Sequence, residues 1–142
     1  EFHHLTPTFA VAAQLSLEDI ARAGGRGFTT IICNRPENEE PGLPNHAQTS
    51  AAAQQAGMTF RALPFVGPPP PAVVAETVVT MEQSPGSILA FCRSGTRSAT
   101  AWAMAQALSG RGSPDEIIAA AAKAGFDLTR SREALECLAP PR

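Results

Sequence analysis

Residues 87–98 read Ser-Ile-Leu-Ala-Phe-Cys-Arg-Ser-Gly-Thr-Arg-Ser (SILAFCRSGTRS). The first five form a short apolar run, the pattern of a strand buried on both faces of a parallel sheet. A cysteine, two arginines and a glycine follow. From Ser98 to Leu108 the sequence reads as a helix carrying Ala99, Trp102, Ala103 and Ala105. Strand, glycine turn and helix in that order place the turn at the carboxyl edge of an α/β sheet, where open sheets of this kind hold their sites. The turn's N–H groups and the positive end of the helix then face one point. Gly95 supplies the positive φ that such a curl needs.

Cys92 at that point is the candidate nucleophile, with Arg97 as its catalytic partner. Cysteines beside a helix N-terminus and arginines ionise readily, and the thiolate is the reactive form. Arg93, Ser94, Gly95, Thr96 and Ser98 complete a candidate anion-binding loop around it. A buried apolar cysteine at a strand end is the plainer reading, but two arginines and a glycine turn fit it poorly.

Outward from this loop, strands and helices alternate. Thr8–Ala12 reads as a short strand. Ser16 caps a helix with Asp19 in a variant capping box, and Gly24-Gly25 ends it. Phe28–Cys33 (FTTIIC) is a β-branched run suited to a buried parallel strand. Asn34–Pro44 (NRPENEEPGLP) is an acidic loop. Asn34 and Arg35 follow the strand directly and are expected at the same sheet edge. Arg35 would either bind an anionic substrate or pair with the acidic loop. Residues 46–56 read as a helix, 59–64 as a strand, and Pro68–Pro71 as a stiff connector. Residues 72–83 form the next helix. After the Cys92 loop come a helix starting at Ser113-Pro114-Asp115-Glu116 and a last one over 129–138. The expected fold is α/β, a mostly parallel sheet flanked by helices, with a C-terminal helical layer.

The length of 142 residues suits one domain over residues 1–142. Residues 1–4 are expected to be frayed or a cloning remnant, so His3 and His4 are not taken as metal ligands; no metal site and no cofactor are expected. A net charge of −2 supplies no basic field for nucleic acid or an anionic membrane. No apolar run reaches membrane-spanning length, and no signal-peptide pattern is present, so the expected compartment is the cytoplasm. Three scattered cysteines without a C-x-x-C argue against a disulfide framework. Cys33 ends a parallel strand, as Phe91 does, and reads as a packed core thiol rather than a resolving one; Cys137 and Trp102 also read as core.

The segment Cys92–Ser98 (CRSGTRS) resembles the active loop of single-domain rhodaneses. From about Leu5 to Leu108 the chain resembles the phosphatase-like domain of the beta-lactamase hydrolase-like proteins. The likeness rests on Gln14-Leu15, Asn34-Arg35-Pro36 with Glu39-Glu40-Pro41-Gly42, and the loop running into Ala99-Thr100-Ala101-Trp102-Ala103. It implies a fold similar to that of the dual-specificity cysteine phosphatases. Members of this family occur alone or fused to persulfide dioxygenase or flavin oxidoreductase domains of sulfide metabolism. The resemblance therefore implies such a domain as a fused or separate partner.

Two departures decide the expected activity. Cysteine phosphatases separate cysteine and arginine by five residues, long enough to wrap a tetrahedral phosphate; here only Arg93, Ser94, Gly95 and Thr96 intervene. Related phosphatases also supply an aspartate general acid some thirty residues before the cysteine, and no aspartate lies between Gly57 and Phe91. Glu76 and Glu82 in that span read as a solvated helix face. Glu37, Glu39 or Glu40 could bring an acid from the other loop.

The first expectation is thus a rhodanese-like sulfurtransferase. Cys92 would take sulfane sulfur from thiosulfate or glutathione persulfide and pass it to a thiol acceptor or cyanide. The alternative is a cysteine-dependent phosphatase working through a phosphocysteine. A third reading is a non-catalytic accessory module, for which Pro140-Pro141-Arg142 would suit an interdomain linker.

Overall fold

A computed structural model describes residues 1–141. The strands are β1 (His3–Thr6), β2 (Phe9–Ala12), β3 (Phe28–Cys33), β4 (Thr59–Ala62) and β5 (Ser87–Phe91). The helices are α1 (Leu17–Gly24), α2 (His46–Gln55), α3 (Pro71–Gln83), α4 (Thr96–Leu108), α5 (Pro114–Lys123) and α6 (Arg132–Leu138), with a 3-10 turn over Thr129–Ser131.

Local chemistry explains most of these bounds. Ser16 Oγ accepts the Asp19 N–H while Asp19 returns a bond to the Ser16 N–H, the reciprocal box read from the sequence. Asn45 with Gln48, and Ser113 with Glu116, close α2 and α5 in the same way. Pro71 is the first residue of α3 rather than the last of the connector, because a missing N–H costs nothing in a helix's first turn. Helix α4 begins at Thr96, two residues earlier than expected, directly at the glycine turn.

One expectation about the chain's start is corrected. His3–Thr6 is an antiparallel strand against β2, with His3 opposite Val11 and His4 opposite Ala10. The His4 ring stacks on Phe28, and the His3 ring meets the Phe126 ring edge-on. Cross-strand pairing and ring contacts hold a segment whose own sequence carries little strand signal.

The sheet runs β1-β2-β5-β3-β4, and every pair except β1–β2 is parallel. The mostly parallel α/β architecture is as expected. β5 lies at the centre between β2 and β3, with Ile88 to Phe91 all buried. Alternation sorts side chains to two cores. Ala10, Ala12, Ile31, Leu89 and Phe91 face Ile20 of α1 and Ala53 of α2. Phe9, Val11, Ile32, Ile88 and Ala90 face Trp102 of α4, with Ile117 and Leu135 behind it.

Helix α4 is buried nearly all round, which its alanines permit by bringing neighbours close. α5 and α6 pack on it, forming the additional helical layer. Trp102, 1% exposed, is the largest fully buried side chain. Truncating such a residue to alanine typically costs about 3–5 kcal/mol. Among the described residues, no helix is long and apolar enough to cross a membrane.

Candidate active site

Cys92 is the first residue beyond β5, its N–H bonded to the Ala12 carbonyl at 3.4 Å. The chain then curls through Gly95, at φ 94°, into α4. That curl points the Gly95 N–H at the Cys92 sulfur, 3.1 Å away. Gly95 has no side chain to cap α4, so the helix opens toward the sulfur with no carboxylate or hydroxyl of the cap residue in between. A backbone donor aimed at sulfur stabilises negative charge there, on a thiolate or an adduct. Cys92 itself is fully buried, so a substrate reaches the sulfur only if part of the loop's surround gives way.

Arg93, Ser94 and Thr96 lie exposed on the rim of the loop, with Ser94 Oγ bonded to Thr96 Oγ1 at 3.2 Å. The Arg93 carbonyl accepts the Gln14 N–H at 3.3 Å, tying the rim to the β2–α1 connection. Ser98 and Asn34 are both buried and meet each other. Ser98 Oγ donates to Asn34 Oδ1 at 2.8 Å, and Asn34 Nδ2 donates to the Leu63 carbonyl at 2.9 Å. This pair stitches the start of α4 to the ends of β3 and β4.

Arg97 turns toward the acidic loop. Its Nη1 donates to Glu39 Oε2 at 3.0 Å and to the Phe65 carbonyl at 3.1 Å, and its Nη2 donates to Glu39 Oε1 at 2.7 Å. Arg35 meets the same acid through Nε at 2.7 Å, Glu40 through Nη2 at 2.8 Å and Gln14 through Nη1 at 3.0 Å. Of the two roles read for Arg35, pairing with the acidic loop is the one the structure displays.

Hydrogen bonding from Arg97, and then from Arg35, holds the Glu39 carboxyl below its ordinary range. The Glu39 hydrogen bond in turn raises Arg97. For Arg35, burial opposes the charge, and the bonds to Glu40 and Glu39 outweigh it. Glu39 is therefore a fixed anion between two fixed cations.

The acidic loop also walls a cavity of about 250 Å³ beside the site, lined by Gln14, Cys33, Arg35, Glu39, His46 and Phe91. His46 Nε2 lies 2.9 Å from the Arg35 carbonyl. Burial pushes the Cys33 thiol up to about 11. Cys33 shares its face of the sheet with Phe91 and is out of phase with Cys92, as alternation along a strand requires. Its packing is that of a core thiol. Glu76 pairs with Arg61 at 2.5 Å on the flank of α3, away from this cluster.

Sequence reading left three participants without a role. Gln14 bridges to Arg35, Phe65 offers its carbonyl to Arg97, and Phe126 closes over Gly95. For Arg35, pairing with the acidic loop that holds Glu39 is one of the two roles read from the sequence. The other contacts join segments far apart in sequence and have no such signal.

The mostly parallel five-stranded sheet with its flanking helices has a cysteine-phosphatase-like fold. Tk-PTP in its active form superposes on 96% of this chain and 95% of its own, with a TM-score of 0.74 at 15% identity. The chain belongs to the family described as beta-lactamase hydrolase-like protein, phosphatase-like domain, whose model matches residues 1–109.

A beta-lactamase hydrolase-like protein of Agrobacterium fabrum C58 is 34% identical over 131 residues, 89% of this chain and 30% of the relative. The chain thus spans about a third of the curated relatives it matches. A Neisseria meningitidis Z2491 structure, described as a "putative phosphatase", is 34% identical with a TM-score of 0.81, over 95% of this chain and 96% of its own. The family description and the Neisseria structure carry the word phosphatase, and none of these matches is described as a sulfurtransferase. They weigh toward the phosphatase alternative rather than the sulfur-transfer expectation.

Proposed function

We propose that this chain is a cysteine-dependent hydrolase of the phosphatase type, restricted to substrates whose leaving group departs without a proton. The carrying observation is the Gly95 N–H on the Cys92 sulfur at the mouth of α4. Sγ attacks phosphorus, the phosphorus–oxygen bond breaks, and the leaving group takes the electron pair. Water then cleaves the phosphocysteine to inorganic phosphate and restores the thiol.

The restriction comes from the missing acid. Gly57–Phe91 contains no aspartate, and Glu39, the carboxylate at the site, is held ionised by Arg97 and Arg35. An ionised carboxylate cannot protonate a leaving alkoxide. Activated aryl esters, acyl phosphates and phosphoanhydrides need no such help.

A second reading, sulfur transfer, is favoured by one specific feature. Only four residues separate Cys92 from Arg97, and the guanidinium is engaged with Glu39 and the Phe65 carbonyl, which leaves backbone N–H groups to cradle a small adduct. Here Sγ attacks the outer sulfur of thiosulfate, a sulfur–sulfur bond forms, and sulfite leaves. The persulfide then yields its outer sulfur to a thiol or cyanide.

The two separate in one set of assays. p-Nitrophenyl phosphate and an alkyl phosphate are offered beside thiosulfate with cyanide, and Cys92 is weighed by mass spectrometry after each. Phosphate release from the aryl ester alone, lost in Cys92→Ser, supports the first reading. One added sulfur on Cys92 with no phosphate release replaces it with the second.

A further inference from the structure

Among the described residues, one buried side-chain polar atom has no hydrogen-bond partner, Nε1 of Trp102. A buried donor left unpaired costs about 1–3 kcal/mol, so native structures seldom leave one without an acceptor. Trp102 lines a cavity of about 420 Å³ at the far end of the sheet from Cys92, where Phe9 begins β2 and Ile88 enters β5. Phe9, Met81 and Ile88 give it apolar walls, while Gln106 and Arg111 stand at its polar side. The Arg111 side chain is exposed and belongs to none of the ion pairs among the described residues. Glu116, which borders an adjoining smaller hollow, accepts the Ser113 N–H at 2.8 Å through Oε1.

We propose that this cavity binds a small monocarboxylate with an apolar body. A carboxylate oxygen accepts the Trp102 N–H, the negative charge meets Arg111, and the body lies along Phe9, Met81 and Ile88. One cation and apolar walls suit a monoanion. A dianion would leave its second charge without a cation, since Arg111 is the one charged residue among the described residues lining the cavity. The proposal is independent of which group Cys92 transfers.

Trp102 is the sole tryptophan of the chain, so its indole N–H gives a single side-chain resonance in a nitrogen-labelled sample. Benzoate is the probe, and benzyl alcohol is the uncharged control. The indole resonance should shift saturably with benzoate. Affinity should fall about fivefold for benzyl alcohol and for Arg111→Gln, the scale of one partly exposed charge pair. Trp102→Phe keeps the ring packing and removes the donor, and should abolish the benzoate-induced rise in melting temperature. An unmoved or merely linear indole shift means that the cavity holds only water, and overturns the proposal. Equal binding of benzoate to wild type and Arg111→Gln, or of benzyl alcohol and benzoate, overturns the charge recognition. The resonance and Arg111→Gln arms stand even if Trp102→Phe fails to fold.

Discussion

Glu39 grips Arg97 with both carboxylate oxygens across 58 positions of sequence, at 3.0 Å to Nη1 and 2.7 Å to Nη2. Because the same Oε1 also receives Arg35 Nε at 2.7 Å, one carboxylate sets the positions of two guanidinium groups at the mouth of the site. Glu39 is a positioning residue in this arrangement.

Glu39→Gln should therefore loosen Arg97 more than it harms the fold. The expected outcome is a fall in kcat of about tenfold, with stability lower by about 1–2 kcal/mol, the range for losing a charge-assisted hydrogen bond. Partial recovery in Glu39→Asp would mark a positional role. The pH dependence has a definite sign. The Glu39 carboxyl is depressed in the native state, so its stabilisation is present above the ordinary carboxylate pKa and is lost as pH falls through the native value. Urea midpoints of wild type and Glu39→Gln should converge in acid.

Cys33 acts at the other end of the scale. Its native value of about 11 lies above the ordinary 9.0 because burial disfavours the thiolate. Between those values the unfolded chain has released a proton that the native chain retains. Stability conferred by the neutral thiol is present below pH 9 and declines as pH rises through 11, by about 2.7 kcal/mol at most. Cys33→Ala should be less stable than wild type at pH 7 and should show a shallower alkaline decline in urea unfolding.

Gly95 is constrained twice. Its φ of 94° disfavours any side chain, and a Cβ there would stand 3.0 Å from Phe126 Cζ. Gly95→Ala should cost about 1–3 kcal/mol and most of the activity, because the N–H that faces Cys92 would shift. Adding Phe126→Ala removes the clash and leaves the backbone strain, so activity should return only in part. Full recovery would assign the whole effect to the ring contact.

The Ser98–Asn34 bond offers a third test of the loop's mounting. Ser98→Ala leaves Asn34 Oδ1 buried without its 2.8 Å donor. The expected loss is about 1–3 kcal/mol in thermal or urea unfolding. If Ser98 also touches the transferred group, KM will rise; a purely structural role leaves KM unchanged in the folded fraction.

Sequence by itself determined what depends on neighbours along the chain. The capping box at Ser16, the apolar runs 28–33 and 87–91, the glycine turn after Cys92 and the proline-serine start of α5 are short-range signals, and each appears where it was read. The spacing of Cys92 and Arg97 and the want of an aspartate between Gly57 and Phe91 are likewise legible from residues alone. Only tertiary structure decided that His3–Thr6 is a strand, that β5 lies between β2 and β3, and that Arg97 is turned to Glu39. It also decided that Ser98 and Asn34 hold each other, that the N–H of the core residue Trp102 is unpaired, and that Cys137, read as core from the sequence, is exposed. These depend on which distant segments the sheet brings side by side, and pairing energies across such distances leave no mark in local composition or period.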